Sequence, residues 1–70
     1  MEFNYESINN VLYNRHHNLS SYWSSIGWND THVSVVYIME DGGPDETVTI
    51  DKKGVISISS RLMKEMESID

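Results

Sequence analysis

The stretch His32-Val33-Ser34-Val35-Val36-Tyr37-Ile38-Met39 decides the fold, because β-branched and aromatic residues dominate it, as they do in strands. Its odd-numbered residues are all apolar or aromatic, and two even-numbered ones, Val36 and Ile38, are apolar as well. Both faces of the segment are therefore apolar, whereas a strand with one solvated face alternates between apolar and polar residues. We expect this segment to be a central strand.

Two further strands are predicted after it. Residues 40–45, Glu-Asp-Gly-Gly-Pro-Asp, carry strong turn signals, and residues 47–50 alternate as a half-buried strand does. Residues 51–54 form a tight turn in which Gly54 is available for a positive φ, and residues 55–59 alternate again. The pattern predicts a three-stranded antiparallel meander.

The N-terminal part of the chain has helical periodicity. Asn4 is suited to cap a helix that runs from Tyr5 to about Asn14. The polar residues 14–18 are mediocre helix formers, so a second helical stretch, from about Leu19 to Ile26, is either continuous with the first or broken from it. Its serines are equally compatible with a strand or loop. The residues that share the helical face are Tyr5, Ile8, Val11, Leu12, Leu19, Tyr22, Trp23 and Ile26.

Gly27 is suited to stop that second helix, and a short helix is also predicted at the C-terminus. Ser60 is the expected N-cap of this last helix, whose apolar stripe is Leu62, Met63, Met66 and Ile69. The order of elements predicts one α+β domain over residues 1–70, with helices covering one face of the sheet. A chain of 70 residues buries little surface alone, so we expect a homodimer.

Composition excludes several functions. The chain has no cysteine, no apolar run near the ~20 residues that a bilayer requires, and no signal-peptide pattern, so we expect a cytoplasmic protein without membrane contact. Eleven acidic residues against five basic ones give a net charge of −6. Direct binding of nucleic acid depends on neutralising phosphates, so it is not expected here.

Catalytic and metal sites are not expected either. His16, His17 and His32 are the candidate ligands of a metal site. His16 and His17 are adjacent, whereas paired metal ligands on a helix lie at i and i+4, and the chain has no cysteine that could complete the site. No nucleophile elbow is present, and Gly42-Gly43 lacks the lysine and the helix of a phosphate-binding loop. The sequence predicts no enzyme activity and no cofactor.

Trp23 and Trp28, with Tyr22 beside them, form a bulky group around Gly27. Aromatic residues supply much of the packing in a small domain, which favours a place in the core or in a dimer contact. Tryptophan and tyrosine are also typical anchors of interfaces, so the same residues are candidates for binding a partner.

The acidic residues are the most informative feature of the sequence. Five acids and no base lie within the twelve residues 40–51, and residues 33–70 carry eight of the eleven acids. Acids near the end of the C-terminal helix oppose the helix dipole, and residues that oppose local stability often serve function. The candidate partner-binding residues are Glu40, Asp41, Asp45, Glu46, Asp51, Glu65, Glu67 and Asp70.

A physical function follows from this pattern. Carboxylates held on a rigid surface can occupy the basic groove of a DNA-binding protein in place of phosphates. A dimer doubles the array to about −12 and gives it the two-fold symmetry that many nucleoid proteins and repressors share. Such binding is steered by charge and is weakened by salt.

In size and charge the chain resembles the small acidic proteins that lytic phages use to take over a bacterial host. Its runs Glu40-Asp41…Asp45-Glu46…Asp51 and Glu65…Glu67…Asp70 are similar in character to those of DNA-mimic inhibitors. These include inhibitors of the nucleoid protein HU, of restriction enzymes and of uracil glycosylase. The resemblance implies a non-enzymatic inhibitor in the host cytoplasm, bound to a basic DNA-binding protein.

One departure from that group keeps a second hypothesis open. Lys52-Lys53 and Arg61 interrupt the acidic surface, and a net charge of −6 is modest for a DNA mimic. The alternative is a protein-interaction module, such as an anti-defence or regulatory factor, that acts through an apolar and aromatic surface. Salt distinguishes the two, because an apolar interface responds little to it.

Overall fold

A computed structural model describes residues 1–69. The chain is an α+β protein in which helices pack on one antiparallel sheet. Its elements in order are α1 (Tyr5–Arg15), α2 (His17–Ser21), β1 (Ser25–Trp28), β2 (His32–Tyr37), β3 (Glu46–Asp51), β4 (Ile56–Ser57) and α3 (Ser60–Ser68).

The described sheet has four strands in the order β1-β2-β3-β4, so the predicted central strand does lie between two neighbours. Residues directly opposite each other on paired strands share a face. Val33 and Val35 of β2 lie opposite Ile50 and Val48 of β3, and all four are buried. Together with Tyr37 they form the sheet side of the core.

The prediction of three strands was wrong by one, because β1 was not expected. The segment Ser-Ile-Gly-Trp contains serine and glycine, which have low strand propensity, and its apolar spacing continues that of the helix before it. It becomes a strand because it pairs with β2, with Ile26 opposite Val35 and Trp28 opposite Val33. Gly27, expected to stop a helix, lies inside β1 instead.

Helix α1 begins at its predicted cap. The Asn4 side chain accepts a hydrogen bond from the Ser7 N–H at 2.8 Å, and the Ser7 hydroxyl oxygen accepts one from the Asn4 N–H. Ile8 and Leu12, four residues apart, are fully buried against the sheet. The helix ends at His16, whose extended backbone breaks it from α2.

Helix α2 is short and ends earlier than the sequence predicted. His16 Nδ1 accepts a hydrogen bond from the Asn18 N–H at 3.2 Å, so the same residue that ends α1 caps α2. Leu19 is fully buried, and its carbonyl accepts a hydrogen bond from the Tyr37 hydroxyl. The chain then leaves the helix after Ser21 and enters β1.

Helix α3 is capped by Ser59, one residue before the predicted Ser60. The Ser59 hydroxyl accepts a hydrogen bond from the Leu62 N–H at 3.1 Å. Leu62 and Met66 are buried, as the predicted stripe requires, and Met63 and Ile69 pack at the edge of the core. None of the helices in residues 1–69 is long and apolar enough to cross a bilayer.

Candidate functional site

The long loop between β2 and β3, residues 38–45, is fastened to α3 by Arg61. The Arg61 guanidinium donates to the Asp41 carboxylate at 2.9 Å, to the Glu46 carboxylate at 2.6 Å and to the Pro44 carbonyl at 2.9 Å. Glu46 reaches Arg61 because it shares the helix side of β3 with Val48 and Ile50, which follow it at two-residue intervals. The loop is therefore held against one side of the helix.

Two further hydrogen bonds act with Arg61 to stabilise the charged forms of two carboxylates. The Gly43 N–H, which donates to Asp41 at 2.8 Å, and the nearby Arg61 charge hold the pKa of Asp41 below its usual range. The Ser59 hydroxyl, which donates to Glu46 at 2.8 Å, and the Arg61 guanidinium do the same for the pKa of Glu46. Both groups remain ionised at neutral pH.

A second contact fastens the loop one turn farther along α3. The Glu65 carboxylate accepts a hydrogen bond from the Glu40 N–H at 3.0 Å. Arg61 and Glu65 are four residues apart and so lie on one face of the helix. The carboxylates that the loop, the start of β3 and this helix face bring together are called the acidic surface below: Glu40, Asp41, Asp45, Glu46 and Glu65.

The acidic surface carries a net charge of −4 from five carboxylates and the Arg61 guanidinium. Its members differ in their freedom to bind a partner. Glu46 uses both oxygens inside the chain, and only 22% of its side chain is exposed. Asp41 is 61% exposed and engages one oxygen, while Glu40 and Asp45 are exposed. Glu46 is thus placed to organise the surface, and its neighbours are placed to contact other molecules.

Two of the eight predicted residues, Asp51 and Glu67, do not join this surface, and a third cannot be placed. Asp51 lies at the opposite end of β3, about 16 Å from Glu46 along the strand, and one of its oxygens accepts the N–H groups of Lys53 and Val55 in the next turn. Glu67 lies two residues from Glu65 and so points about 160° away around α3. Asp70 lies outside the described residues.

The histidines do not converge. The rings of His16 and His17 stack with their centroids 4.7 Å apart, and His32 Nδ1 is 2.9 Å from the Thr31 hydroxyl in the turn between β1 and β2. Within residues 1–69 no three His, Asp or Glu side chains are arranged to hold a metal ion. No ligand-sized cavity opens in this part of the chain.

Aromatic side chains gather at the edge of the sheet that β1 forms, beside α1. Tyr5 and Trp28 pack edge to face, with ring centroids 5.2 Å apart, and Trp23 Nε1 donates to Asn9 Oδ1 at 3.2 Å. Tyr13, four residues beyond Asn9 on α1, is 61% exposed. Strand β1 with Tyr5, Tyr13, Trp23 and Trp28 is called the aromatic edge below.

Sequence reasoning identified the two tryptophans but not the two tyrosines of the aromatic edge. The spacing of Tyr5, Asn9 and Tyr13 at intervals of four was the available signal. This spacing was not recognised, because Tyr5 also fits the helical face that carries Ile8 and Leu12. The structure leaves Tyr5 58% exposed and Trp28 41% exposed, so neither is a core residue.

Comparison with known proteins adds no relative: no protein-family model, curated protein or solved structure matches the chain.

Proposed function

We propose that this protein is a non-enzymatic inhibitor that binds the basic DNA-binding surface of another protein, with the carboxylates of the acidic surface standing in for phosphates. The observation that carries the proposal is the double attachment of the loop to α3, through Arg61 and through Glu65. A carboxylate array that is already ordered loses little conformational entropy on binding, so more of its electrostatic attraction appears as affinity.

The hydrogen-bonding state of the array supports the same function. Asp41 and Glu65 each engage one carboxylate oxygen inside the chain, and the other oxygen has no partner among residues 1–69. Glu40 and Asp45 are exposed carboxylates on the same loop. Arginine and lysine side chains that bind DNA phosphates can donate hydrogen bonds to these carboxylates with similar geometry. Carboxylate and phosphate oxygens are both anionic and offer several lone pairs.

The partner class follows from charge. A basic groove that accepts DNA attracts a surface of net charge −4 on a chain of net charge −6. We propose a bacterial nucleoid-associated or other basic DNA-binding protein as the partner, met in the cytoplasm of the host cell. In the same proposal the chain is encoded by a phage and inhibits that partner.

Matched charge reversals test the proposal. The variant Glu40→Lys/Asp45→Lys changes two exposed carboxylates of the acidic surface, whereas Glu2→Lys/Glu67→Lys makes the same change in net charge at exposed positions elsewhere. Each protein is titrated against purified HU and against basic proteins retained from a bacterial lysate at low salt. We expect the first variant to lose at least tenfold in affinity and the second to bind within about threefold of the unmodified chain.

Two results contradict the proposal. Equal losses in both variants mean that net charge, rather than the acidic surface, governs the attraction. Unchanged binding in both means that the carboxylates form only a solvated surface. Circular dichroism of each variant checks that the fold is retained.

A second candidate function has an observation of its own. The aromatic edge exposes Tyr5 and Trp28 in contact with each other, with the exposed Tyr13 two turns farther along α1, and such side chains anchor many protein interfaces. An interaction module acting through it would bind its partner with little dependence on salt. Retention of a partner at high salt by the Glu40→Lys/Asp45→Lys variant favours this candidate over the first.

A further inference from the structure

Strand β1 is an edge strand whose irregularity is confined to its beginning, where the Ser24 N–H donates to the carbonyl of Val36, the residue opposite Ser25, as in a β-bulge. Proteins commonly guard an exposed strand with charged residues, proline, a bulge or very short length. The opposite edge strand, β4, has two residues, whereas β1 has four. No charged residue and no proline occurs anywhere between Asn18 and Asn29, a range that includes all of β1.

The free backbone groups of this edge can be assigned from the adjoining turn. The Asn29 N–H donates to the His32 carbonyl at 3.1 Å, so Asn29 faces β2. Alternate residues of a strand direct their N–H and C=O groups to the same side, which makes Gly27 face β2 as well. Ile26 and Trp28 therefore direct their backbone groups away from the sheet.

We propose that β1 pairs antiparallel with β1 of a second copy of this chain, about a two-fold axis that passes through Gly27. In this register Ile26 of each copy lies opposite Trp28 of the other, and these two residues exchange four backbone hydrogen bonds across the axis. The two sheets become one of eight strands, and the interface is self-complementary, as a two-fold dimer requires.

The side chains around β1 fit this pairing. Ile26 and Trp28 lie on the helix side of the sheet, because they are opposite the buried Val35 and Val33. Each Trp28 would pack against Ile26 of the second copy, a cross-strand pairing of aromatic and β-branched residues. Tyr5, which already contacts Trp28, would cover this contact from α1.

The exposed aromatic side chains supply part of the area that a dimer interface needs. Tyr5, Tyr13 and Trp28 are 58%, 61% and 41% exposed, which amounts to roughly 300 Å² at ~200 Å² for each aromatic side chain. A stable interface buries about 800 Å² from each partner. These side chains supply less than half of that area, so we expect a dimer that dissociates on dilution.

Charge favours this edge as the place where two copies meet. Two chains of net charge −6 repel each other, and a contact that excludes acids minimises that repulsion. The uncharged range of residues 18–29 provides such a contact, while the acidic surface lies beyond β2, on the loop between β2 and β3 and on α3. Added salt screens the remaining repulsion, so dimerisation should strengthen as NaCl is raised.

The oligomeric state of the full chain tests the proposal. Sedimentation equilibrium should give a mass near twice 8.1 kDa at high protein concentration, with dissociation on dilution. In the variant Gly27→Lys two ammonium groups would face each other across the two-fold axis, so we expect at least a tenfold weaker dimer. A Cβ at Gly27 meets no atom within 4 Å, so the single chain accommodates the substitution.

Ser57→Lys is the matched control. Gly27, Ser34, Thr49 and Ser57 lie opposite one another across the four strands, so residues 27 and 57 share one row and one face at opposite edges. The control should dimerise as the unmodified chain does. Hydrogen exchange gives a second readout that needs no variant: the amides of Ile26 and Trp28 should gain protection with rising protein concentration, while the amide of Gly27 is protected throughout.

Three outcomes overturn the proposal. A chain that remains monomeric at high concentration and high salt has no such interface. A dimer that Ser57→Lys disrupts and Gly27→Lys preserves is formed through the other edge or the open face. A dimer in which Ile26 and Trp28 exchange as fast as in the monomer is formed elsewhere.

Discussion

We expect the buried hydroxyl of Tyr37 to stabilise the fold and to make that stability depend on pH. This side chain is fully buried, and its hydroxyl donates to the Leu19 carbonyl at 2.5 Å. The variant Tyr37→Phe removes the donor and leaves a buried carbonyl without it. We expect a loss of about 1–3 kcal/mol in the free energy of unfolding, out of roughly 4–10 kcal/mol for 70 residues.

The pH dependence follows from desolvation. Burial raises the pKa of Tyr37 above its ordinary value of 10.0, because the phenolate would lose its hydration inside the core. The folded-state pKa is therefore higher than the unfolded-state pKa, so this contribution to stability is complete below pH 10 and decreases as pH rises above it. The expected slope is about 1.4 kcal/mol per pH unit.

Urea unfolding followed by far-ultraviolet circular dichroism from neutral pH to roughly pH 12 measures both effects. Other groups also titrate in this range, so the informative quantity is the difference between the unmodified chain and Tyr37→Phe. That difference should shrink above pH 10 and close by roughly pH 12. Tyr13→Phe, at an exposed position, is the control and should change stability by less than about 0.5 kcal/mol. A constant difference across the series would mean that the Tyr37 hydroxyl does not titrate between the folded and unfolded states as described.

Three further predictions concern the contacts that position the helices and turns. Asn18→Ala, which removes a buried amide that donates to two carbonyls at the end of α3, should cost about 1–3 kcal/mol in urea unfolding. Gly54→Ala should cost about 1–2 kcal/mol, because the φ of +82° at this turn disfavours any side chain; unchanged stability would mean that the turn readily adopts another conformation. The lowered pKa of Glu46 contributes stability above its unfolded-state pKa and loses it as pH falls through the folded-state pKa, so stability should decline below about pH 4. Arg61→Met should make that acid-induced decline shallower, and an identical pH profile in this variant would contradict the assigned cause.

Sequence reasoning recovered the elements that local chemistry dictates. Asn4 caps α1 because its side chain can accept from the helix start, and the turn after Asp51 closes because Gly54 tolerates a positive φ. The central strand was also recognisable from its β-branched and aromatic residues, although it ends at Tyr37, before the predicted Ile38 and Met39. These signals lie within a few residues of the feature that they predict.

The missed features depend on partners that are distant in sequence. Strand β1 has weak strand propensity and forms because β2 offers a register for it. Arg61 was read as an interruption of the acidic surface, whereas it fastens Asp41 and Glu46 to α3. Local charge patterns could not separate Asp51 from the other acids, because its distance from them is set by the direction of β3. Tertiary pairing decided each of these cases.

The salt dependence of competition with DNA tests the proposed function most directly. A labelled DNA duplex is bound to HU, the full chain is added in increasing amounts, and the displaced fraction is measured over a series of NaCl concentrations. We expect complete displacement at low salt and an inhibitory concentration that rises steeply with salt, because carboxylates and phosphates compete for the same basic groups. A chain that binds HU without displacing DNA, or with an affinity that salt does not change, contradicts DNA mimicry by the acidic surface.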